Sequence, residues 1–226
     1  ALTKENDLLE IMFTSGTTGE PKGVMITHQN VYVNVLAALN CFWVNKSDNF
    51  LSIVPMSHIL EQLLFLAITV KGASITQLRS RRGSEIRAAL EKEKPTMIAA
   101  VPAFFNLFKR KIEEKARESN RLDTLNKLMK ITKKFPYSIK RKLFKKVHNV
   151  FGNRLKIIIC GGAALPVDTE IFFENIGIDV INGYGLTETS PLLTGNQIGN
   201  KKHGSAGMIV DDVEIKISKQ GEILAK

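Results

Sequence analysis

The sequence predicts an α/β fold, a largely parallel sheet layered with helices, with a β-hairpin region at its C-terminal end. Short apolar runs suited to buried strands alternate along the chain with longer segments of helical spacing. Pro, Gly, Ser, Thr or Asp residues bound the helical segments. Such alternation is typical of parallel sheets, which gather their ligands at the carboxyl ends of the strands.

Taken in order, the short apolar runs predict strands at 8–13, 24–26, 50–54, 74–78, 97–101, 155–159 and 179–181. The intervening segments predict helices at 29–42, 59–70, 84–92, 103–115 and 167–175. The stretch 210–226 alternates apolar and polar residues and breaks at Gln220 and Gly221, which predicts a hairpin. We expect residues 1–204 to form an α/β nucleotide-binding core. Residues 205–226 are expected to begin a β-rich subdomain that is truncated, which would make the chain a fragment.

The composition, 44% hydrophobic and 24% charged over 226 residues, is that of an ordinary globular protein. No apolar run approaches the roughly 20 residues that span a bilayer. The two cysteines, Cys41 and Cys160, lack the spacing typical of a disulfide framework or a zinc site. We therefore expect a cytoplasmic protein, and an oligomer is compatible with the sequence.

The net charge of +10 is concentrated in one region. Residues 109–148 contain fifteen Lys and Arg against four acids, so the rest of the chain sums to about −1. Apolar residues at near-helical spacing, broken at Pro136, predict two or three amphipathic helices. This region is either a solvated basic face or a peripheral contact with an anionic membrane or a phosphate-rich ligand. No nucleic-acid partner is expected, because no reader motif accompanies the charge.

The stretch FTSGTTGEPKG at 13–23 joins two predicted strands and has the composition of a phosphate-binding loop. It is not a Walker loop, because Lys22 lies between Pro21 and Gly23 rather than opening a helix. It is not a nucleophile elbow, because Phe13 stands where that motif needs glycine. Glycines that allow tight backbone turns, four hydroxyls and one lysine instead predict a cradle for a polyphosphate. Its members are Thr14, Ser15, Gly16, Thr17, Thr18, Gly19, Lys22 and Gly23.

Two further segments support a nucleotide site. IIICGGAALP at 157–166 is a buried strand that ends in small residues, which leaves a bare backbone edge for a flat ring. NGYGLTET at 182–189 closes another strand, where Tyr184 offers an aromatic face and Glu188 a carboxylate suited to magnesium. Each segment alone could be an ordinary turn, but together they indicate binding of a magnesium-bound nucleotide.

The segments TSGTTGEPKG, VPMSH, GGAALP and NGYGLTETSP, in this order, resemble the AMP-forming acyl-CoA synthetases of the adenylate-forming superfamily. FLSIVPMSHILEQ and the basic insertion before FGNRLKIIICGGAALP look most like the long-chain fatty-acid–CoA ligase branch. The resemblance implies the N-terminal domain fold of these enzymes and the substrates ATP, a fatty acid and coenzyme A, with Mg²⁺. It implies that a fatty carboxylate reacts with ATP to give acyl-AMP and pyrophosphate, and that coenzyme A then captures the acyl group.

The same resemblance implies roles for single residues. Thr14 and Glu188 would bind magnesium, Ser15 to Gly19 and Lys22 would hold the phosphates, and Thr187 would contact the α-phosphate. The adenine would be surrounded by Gly162, Ala163, Asn182, Gly183 and Tyr184. His58 would lie near the acyl-adenylate, although a structural role is an equal alternative. Lys22, Thr187, Glu188 and His58 are the candidate catalytic residues.

This sequence departs from the family pattern in two respects. Gln62 stands where some long-chain enzymes carry an aromatic gate. The family's ribose-binding aspartate, hinge and mobile C-terminal domain with its lysine would lie beyond Lys226, so this segment alone is expected to be inactive. The alternatives left open are an acyl-acyl-carrier-protein synthetase, another carboxylate-adenylating ligase, or a membrane-associated nucleotide-binding module without catalytic activity.

Overall fold

The computed structural model describes residues 2–15 and 20–226 of the chain. Its strands are β1 Leu8–Ser15, β2 Pro21–Thr27, β3 Asn49–Ser52, β4 Ser74–Gln77, β5 Met97–Ala100, β6 Ile157–Cys160, β7 Asp179–Gly185, β8 Leu192–Gly195, β9 Met208–Ile209, β10 Ile215–Ile217 and β11 Ile223–Ala225. Its helices are α1 His28–Cys41, α2 Ile59–Val70, α3 Gly83–Glu93, α4 Pro102–Glu118, α5 Leu122–Thr132, α6 Tyr137–Leu143, α7 Lys145–His148 and α8 Val167–Asn175. Short 3-10 turns lie at Asn149–Phe151 and Thr187–Thr189.

A seven-stranded sheet with the order β4-β3-β5-β6-β7-β8-β9 forms the centre of the fold. Its first five strands are parallel, and β8 and β9 extend it in antiparallel fashion. Strands β1 and β2 form a separate antiparallel hairpin, and so do β10 and β11. The predicted α/β class, the strand-loop-strand arrangement at 13–23 and the C-terminal hairpin are therefore confirmed.

Each central strand contributes side chains to two hydrophobic layers, one on each face of the sheet. In β6, Ile158 and Cys160 belong to one buried cluster, whereas Ile157 and Ile159 belong to the other. This alternation is the period of two that an extended strand imposes on its side chains. Helices α1 and α2 cover one face, while α3, α4 and α8 cover the other. Burial on both faces explains why these strands are short apolar runs in the sequence.

The predicted elements match the observed ones within a few residues, except at the antiparallel edge. Strand β7 continues to Gly185, and β8 and β9 were not predicted at all. These two strands are four and two residues long, so neither carries enough residues to show a period. Because β9 pairs with β8, residues 208–209 join the central sheet. The domain boundary at 204 stays a prediction.

The basic region 109–148 consists of the second half of α4 followed by α5, α6 and α7, and the chain breaks at Pro136 as expected. Two neighbouring basic residues of α6 donate to backbone carbonyls at the end of α8. The Lys140 ammonium donates to the carbonyl of Glu174 at 3.0 Å, and the side chain is 3% exposed. The Arg141 guanidinium donates to the carbonyl of Gly177 at 2.9 Å. Lys140 and Arg141 therefore attach α6 to the end of α8 and do not contribute to an exposed basic face.

The segment that joins β8 to β9 is held against α8 by charged groups. Lys201 forms ion pairs with Glu174 and, at 2.9 Å, with Asp179. His203 contacts the same glutamate at 2.6 Å, and the amide of Gly204 donates to Glu170. These contacts fix the antiparallel edge beside the strand that carries NGYG. Among the described residues, no helix is long and apolar enough to cross a membrane.

Candidate functional site

The candidate site lies at the carboxyl edge of the sheet, where β6 and β7 end. Gly162 follows β6 with φ +81°, in the left-handed region that glycine tolerates best. At Gly185, the end of β7, a Cβ atom would lie 1.6 Å from the carbonyl oxygen of Pro191. Only glycine allows that approach of two backbone segments. Gly162 of GGAALP and Gly185 of NGYG are therefore required by the chain geometry at this edge.

Thr14 and Glu188, predicted as a magnesium pair, lie next to each other. The Thr14 hydroxyl donates to the Glu188 carboxylate at 3.3 Å, although 174 positions separate them in the chain. Thr14 is near the end of β1, and Glu188 lies in the turn Thr187–Thr189. Two hard oxygen ligands, one of them charged, are thus presented side by side, which fits the donor set that Mg²⁺ prefers.

The turn that carries Thr187 and Glu188 is held on both sides. The Thr189 hydroxyl accepts from the amide of Leu186 at 2.9 Å. Asn34, a buried residue of α1, accepts from the amide of Leu192 at 2.6 Å, and its side-chain amide lies 3.5 Å from the carbonyl of Thr189. Sequence analysis missed Asn34, because its partners are more than 150 positions away and no local pattern identifies them.

Lys22 belongs to the same hairpin as Thr14. The two residues are cross-strand partners in the β1–β2 pair, and Lys22 is exposed. Ser15, the last residue of β1, pairs with Pro21 and is exposed as well. The cradle residues Gly16, Thr17, Thr18 and Gly19 lie outside the described residues. The end of the β1–β2 hairpin thus carries the Thr14 hydroxyl and Lys22, and the Glu188 carboxylate from the turn Thr187–Thr189 contacts Thr14.

The predicted adenine residues come from two neighbouring strands. β6 and β7 pair in parallel, with Cys160 beside Asn182, so Gly162 and Ala163 continue past the strand next to Asn182, Gly183 and Tyr184. The Asn182 side-chain oxygen is shielded from solvent and meets no donor among residues 2–15 and 20–226. Buried polar atoms without partners are rare, and this acceptor fits a donor such as an exocyclic amine.

His58 follows β3 and directly precedes α2. In the sheet, β5 lies between β3 and β6, so His58 is on the same edge but to one side of the adenine residues. The side chain is exposed and forms no capping hydrogen bond with α2. The structure therefore leaves its imidazole available to a ligand.

An apolar pocket, not predicted from the sequence, adjoins the adenine residues. It has an empty volume of about 540 Å³, including its mouth, and lies between helices α1 and α2 and the ends of β6 and β7. Leu63 and Leu64 line one side, and Gly162 and Tyr184 line the other.

The two cysteines are part of the wall of this pocket. Both are buried free thiols. Burial raises the pKa of Cys41 to about 11 and that of Cys160 to about 12. Both thiols therefore stay protonated at neutral pH and behave as small apolar side chains rather than as nucleophiles.

Comparison with known proteins gives relatives along almost the whole chain. Residues 1–225 match the AMP-binding enzyme family. Long-chain-fatty-acid–CoA ligase 3 of Saccharomyces cerevisiae is 32% identical over 247 residues, covering 97% of this chain and 35% of the ligase. A chloroplastic long-chain-fatty-acid–[acyl-carrier-protein] ligase of Arabidopsis thaliana is 29% identical, covering 94% of this chain and 34% of that protein. The chain spans about a third of the length of these relatives.

Solved structures share the fold. The N-terminal domain of FACL13 from Mycobacterium tuberculosis superposes with a TM-score of 0.68 at 24% identity, covering 97% of this chain and 48% of that one. O-succinylbenzoate coenzyme A synthetase from Bacillus subtilis, in complex with ATP and a magnesium ion, superposes with a TM-score of 0.67 at 23% identity. The superposition covers 98% of this chain and 40% of that one. The resemblance inferred from the motifs is thus confirmed, and the chain belongs to the AMP-binding enzyme family.

Proposed function

We propose that the protein containing this chain is a long-chain fatty-acid–CoA ligase. In this reaction a fatty carboxylate attacks the α-phosphate of ATP to give acyl-AMP and pyrophosphate, and the thiol of coenzyme A then takes the acyl group. The observation that carries the proposal is the 3.3 Å contact between Thr14 and Glu188, with Lys22 opposite Thr14 in the hairpin.

The chemistry explains why these groups are gathered. A carboxylate is repelled by the phosphates it must attack, so the site has to neutralise charge. Thr14 and Glu188 would hold Mg²⁺, which when bound neutralises phosphate charge and helps pyrophosphate to leave. Lys22 adds a positive charge beside Ser15 to Gly19 for the departing phosphates, and Thr187 would contact the α-phosphate.

The adenine would lie against Tyr184 and the backbone of Gly162, Ala163 and Gly183. The unpartnered oxygen of Asn182 would accept a hydrogen bond from the exocyclic amine of the base. This arrangement accounts for an aromatic side chain between two glycines at the end of a strand. His58, exposed at the same edge of the sheet, would lie near the acyl-adenylate.

The feature that favours a fatty acyl substrate is the apolar pocket between α1, α2 and the ends of β6 and β7. Because Gly162 and Tyr184 belong to its wall, an acyl chain bound there would have its carboxylate close to the adenylate. Gln62, in place of an aromatic gate, donates its amide to the carbonyl of Met56 at 2.9 Å. We therefore assign Gln62 to bracing the loop before α2. The carrier-protein ligase among the relatives makes a carrier-bound thiol the second candidate acceptor.

The basic region offers a second surface. Exposed apolar side chains lie among its lysines, with Ile131 67%, Phe135 41%, Ile139 43% and Leu143 48% exposed. Apolar side chains between lysines are typical of surfaces that contact anionic membranes. We propose a peripheral membrane contact through this region, where a long-chain fatty acid would be concentrated.

The test is pyrophosphate release by the full-length protein with ATP, Mg²⁺ and fatty acids of graded length, with and without coenzyme A. We expect Lys22→Ala and Glu188→Ala each to slow release by roughly 100-fold or more, while the melting temperature changes little because both side chains are exposed. The matched controls are Lys219→Ala and Glu222→Ala, exposed residues of the β10–β11 hairpin. Wild-type release by either site variant would contradict the proposal.

A further inference from the structure

A cluster of three metal-binding side chains lies between α8 and the segment that joins β8 to β9. Glu170 and Glu174 are one turn apart on α8, and His203 belongs to the joining segment. One ligand atom from each of the three lies within 4.8 Å of the other two. Because residues four positions apart are neighbours on a helix surface, α8 presents both carboxylates to the imidazole.

The carboxylate of Glu170 is buried without a counter-charge. Its side chain is fully buried, and its Oε2 accepts from the amide of Gly204 at 3.0 Å. Its Oε1 has no hydrogen-bond partner among residues 2–15 and 20–226, and no basic group of these residues forms an ion pair with it. An uncompensated carboxylate is costly inside a protein. A cation bound at Oε1 would remove that cost.

Each carboxylate of the cluster has one oxygen held by a donor of the protein. The amide of Gly204 holds Oε2 of Glu170, and the ammonium of Lys201 contacts Oε1 of Glu174. The second oxygen of Glu174 lies 2.6 Å from Nε2 of His203. Donors that hold one carboxylate oxygen in this way orient the other toward an ion in metal sites.

The basic residues around the cluster do not supply the missing charge. Lys201 pairs with Glu174 and with an acid of β7, whereas Lys140 and Arg141 donate to backbone carbonyls. The negative charge of Glu170 is therefore left for a group from outside the chain.

One imidazole nitrogen and two carboxylates form a donor set that suits zinc. Zn²⁺ binds His nitrogen and Glu oxygen, and water completes its coordination where the protein supplies three ligands. Mg²⁺ prefers oxygen ligands alone, so the imidazole disfavours it. The side chain of His203 is 39% exposed, which leaves the cluster open to an ion and a water molecule from solvent.

We infer that Glu170, Glu174 and His203 bind a Zn²⁺ ion that fastens the segment between β8 and β9 to α8. The inference goes beyond the proposed function and is independent of it, because the ion is held by none of the residues assigned to ATP or Mg²⁺. Strand β9 pairs with β8, and β8 pairs with the end of β7 that carries Tyr184. The ion would therefore stabilise the antiparallel edge beside the nucleotide site.

The experiment is calorimetric titration of Zn²⁺ into the full-length protein, after a chelator has removed bound metal and with excess Mg²⁺ present. We expect one Zn²⁺ per chain. Glu170→Gln and His203→Ala should each weaken binding by roughly 100-fold or more, since losing even an outer partner of a metal ligand costs 10- to 100-fold. The matched controls are Glu85→Gln on α3 and His28→Ala at the start of α1, both outside the cluster.

Melting temperatures with and without Zn²⁺ provide a second measurement. Zn²⁺ should raise the melting temperature of the wild type but not that of His203→Ala, whose partly exposed position allows the variant to fold even if Glu170→Gln does not. A wild type that binds no Zn²⁺, or equal binding by the wild type and His203→Ala, would overturn the inference. Loss of Zn²⁺ binding in Glu188→Ala would also overturn it, because the ion would then occupy the candidate magnesium pair.

Discussion

The carboxyl of Glu61 has a pKa far from its ordinary value in water. It lies in the first turn of α2, is fully buried, and neither carboxyl oxygen has a hydrogen-bond partner among the described residues. Burial raises its pKa from 4.5 to about 7, and the nearby Ser52 hydroxyl opposes this only in part. The folded protein therefore holds this proton more tightly than the unfolded chain does.

Glu61→Gln should remove a pH-dependent loss of stability. Because the folded pKa is raised, the wild-type stability is fully present below pH 4.5 and falls as the pH rises to about 7. We expect the variant to match the wild type near pH 4.5 and to exceed its unfolding free energy by up to about 3 kcal/mol at pH 8. Urea unfolding across this range measures the difference.

The control for this measurement is Glu85→Gln, an exposed acid in the first turn of α3. It should leave the shape of the pH profile as it is in the wild type. If the Glu61→Gln profile runs parallel to the wild-type profile from pH 4.5 to 8, the carboxyl is not held neutral in the fold.

At the scale of elements, α1 connects the two halves of the candidate phosphate site. The helix begins directly after β2, where Thr27 and Asn30 form reciprocal capping hydrogen bonds. One turn further on, Asn34 bonds to the segment that follows Glu188. The hairpin with Thr14 and Lys22 and the turn with Glu188 are thus positioned by a single helix.

Asn34→Ala should separate these halves without removing any proposed ligand. We expect the Mg²⁺ concentration for half-maximal pyrophosphate release to rise several-fold, and the unfolding free energy to fall by about 1–3 kcal/mol because the buried Leu192 amide loses its acceptor. Asn34→Asp keeps a side-chain oxygen as the acceptor and should restore part of the Mg²⁺ affinity.

Asn40→Ala, on the same helix but exposed, is the control. A loss of stability with unchanged Mg²⁺ dependence would mean that Asn34 only supports the fold.

At the scale of the whole molecule, the positive charge is localised on one region, and the structure shows which of its charges are available. Lys140 and Arg141 serve the packing of α6 on α8. Lys142, Lys145 and Lys146 are exposed instead. The surface available to an anionic membrane is therefore smaller than the count of lysines and arginines suggests.

We expect reversal of these three charges to weaken binding to phosphatidylserine vesicles by roughly 100-fold at physiological salt, at about 1 kcal/mol per lysine. The triple variant is Lys142→Glu, Lys145→Glu and Lys146→Glu, and co-sedimentation with the vesicles measures its binding. Added salt should weaken the wild-type interaction in the same direction. The control makes the same change in net charge at Lys216, Lys219 and Lys226, exposed residues of the C-terminal hairpin and its end. Equal weakening in both triple variants would leave the basic region as an ordinary solvated face.

The sequence by itself determined the alternation of strands and helices, the two hairpins and the motifs that supply Lys22, Tyr184 and Glu188. These features depend on the spacing of hydrophobic residues and on the positions of glycine and proline. Both signals act on the backbone within a few residues of the chain. Only the tertiary structure decided that Thr14 meets Glu188, that Asn34 joins them, and where the apolar pocket forms. It also decided burial at Glu61 and Lys140. Contacts between distant segments, and the desolvation of a charge among them, depend on how the layers pack, which no local pattern encodes.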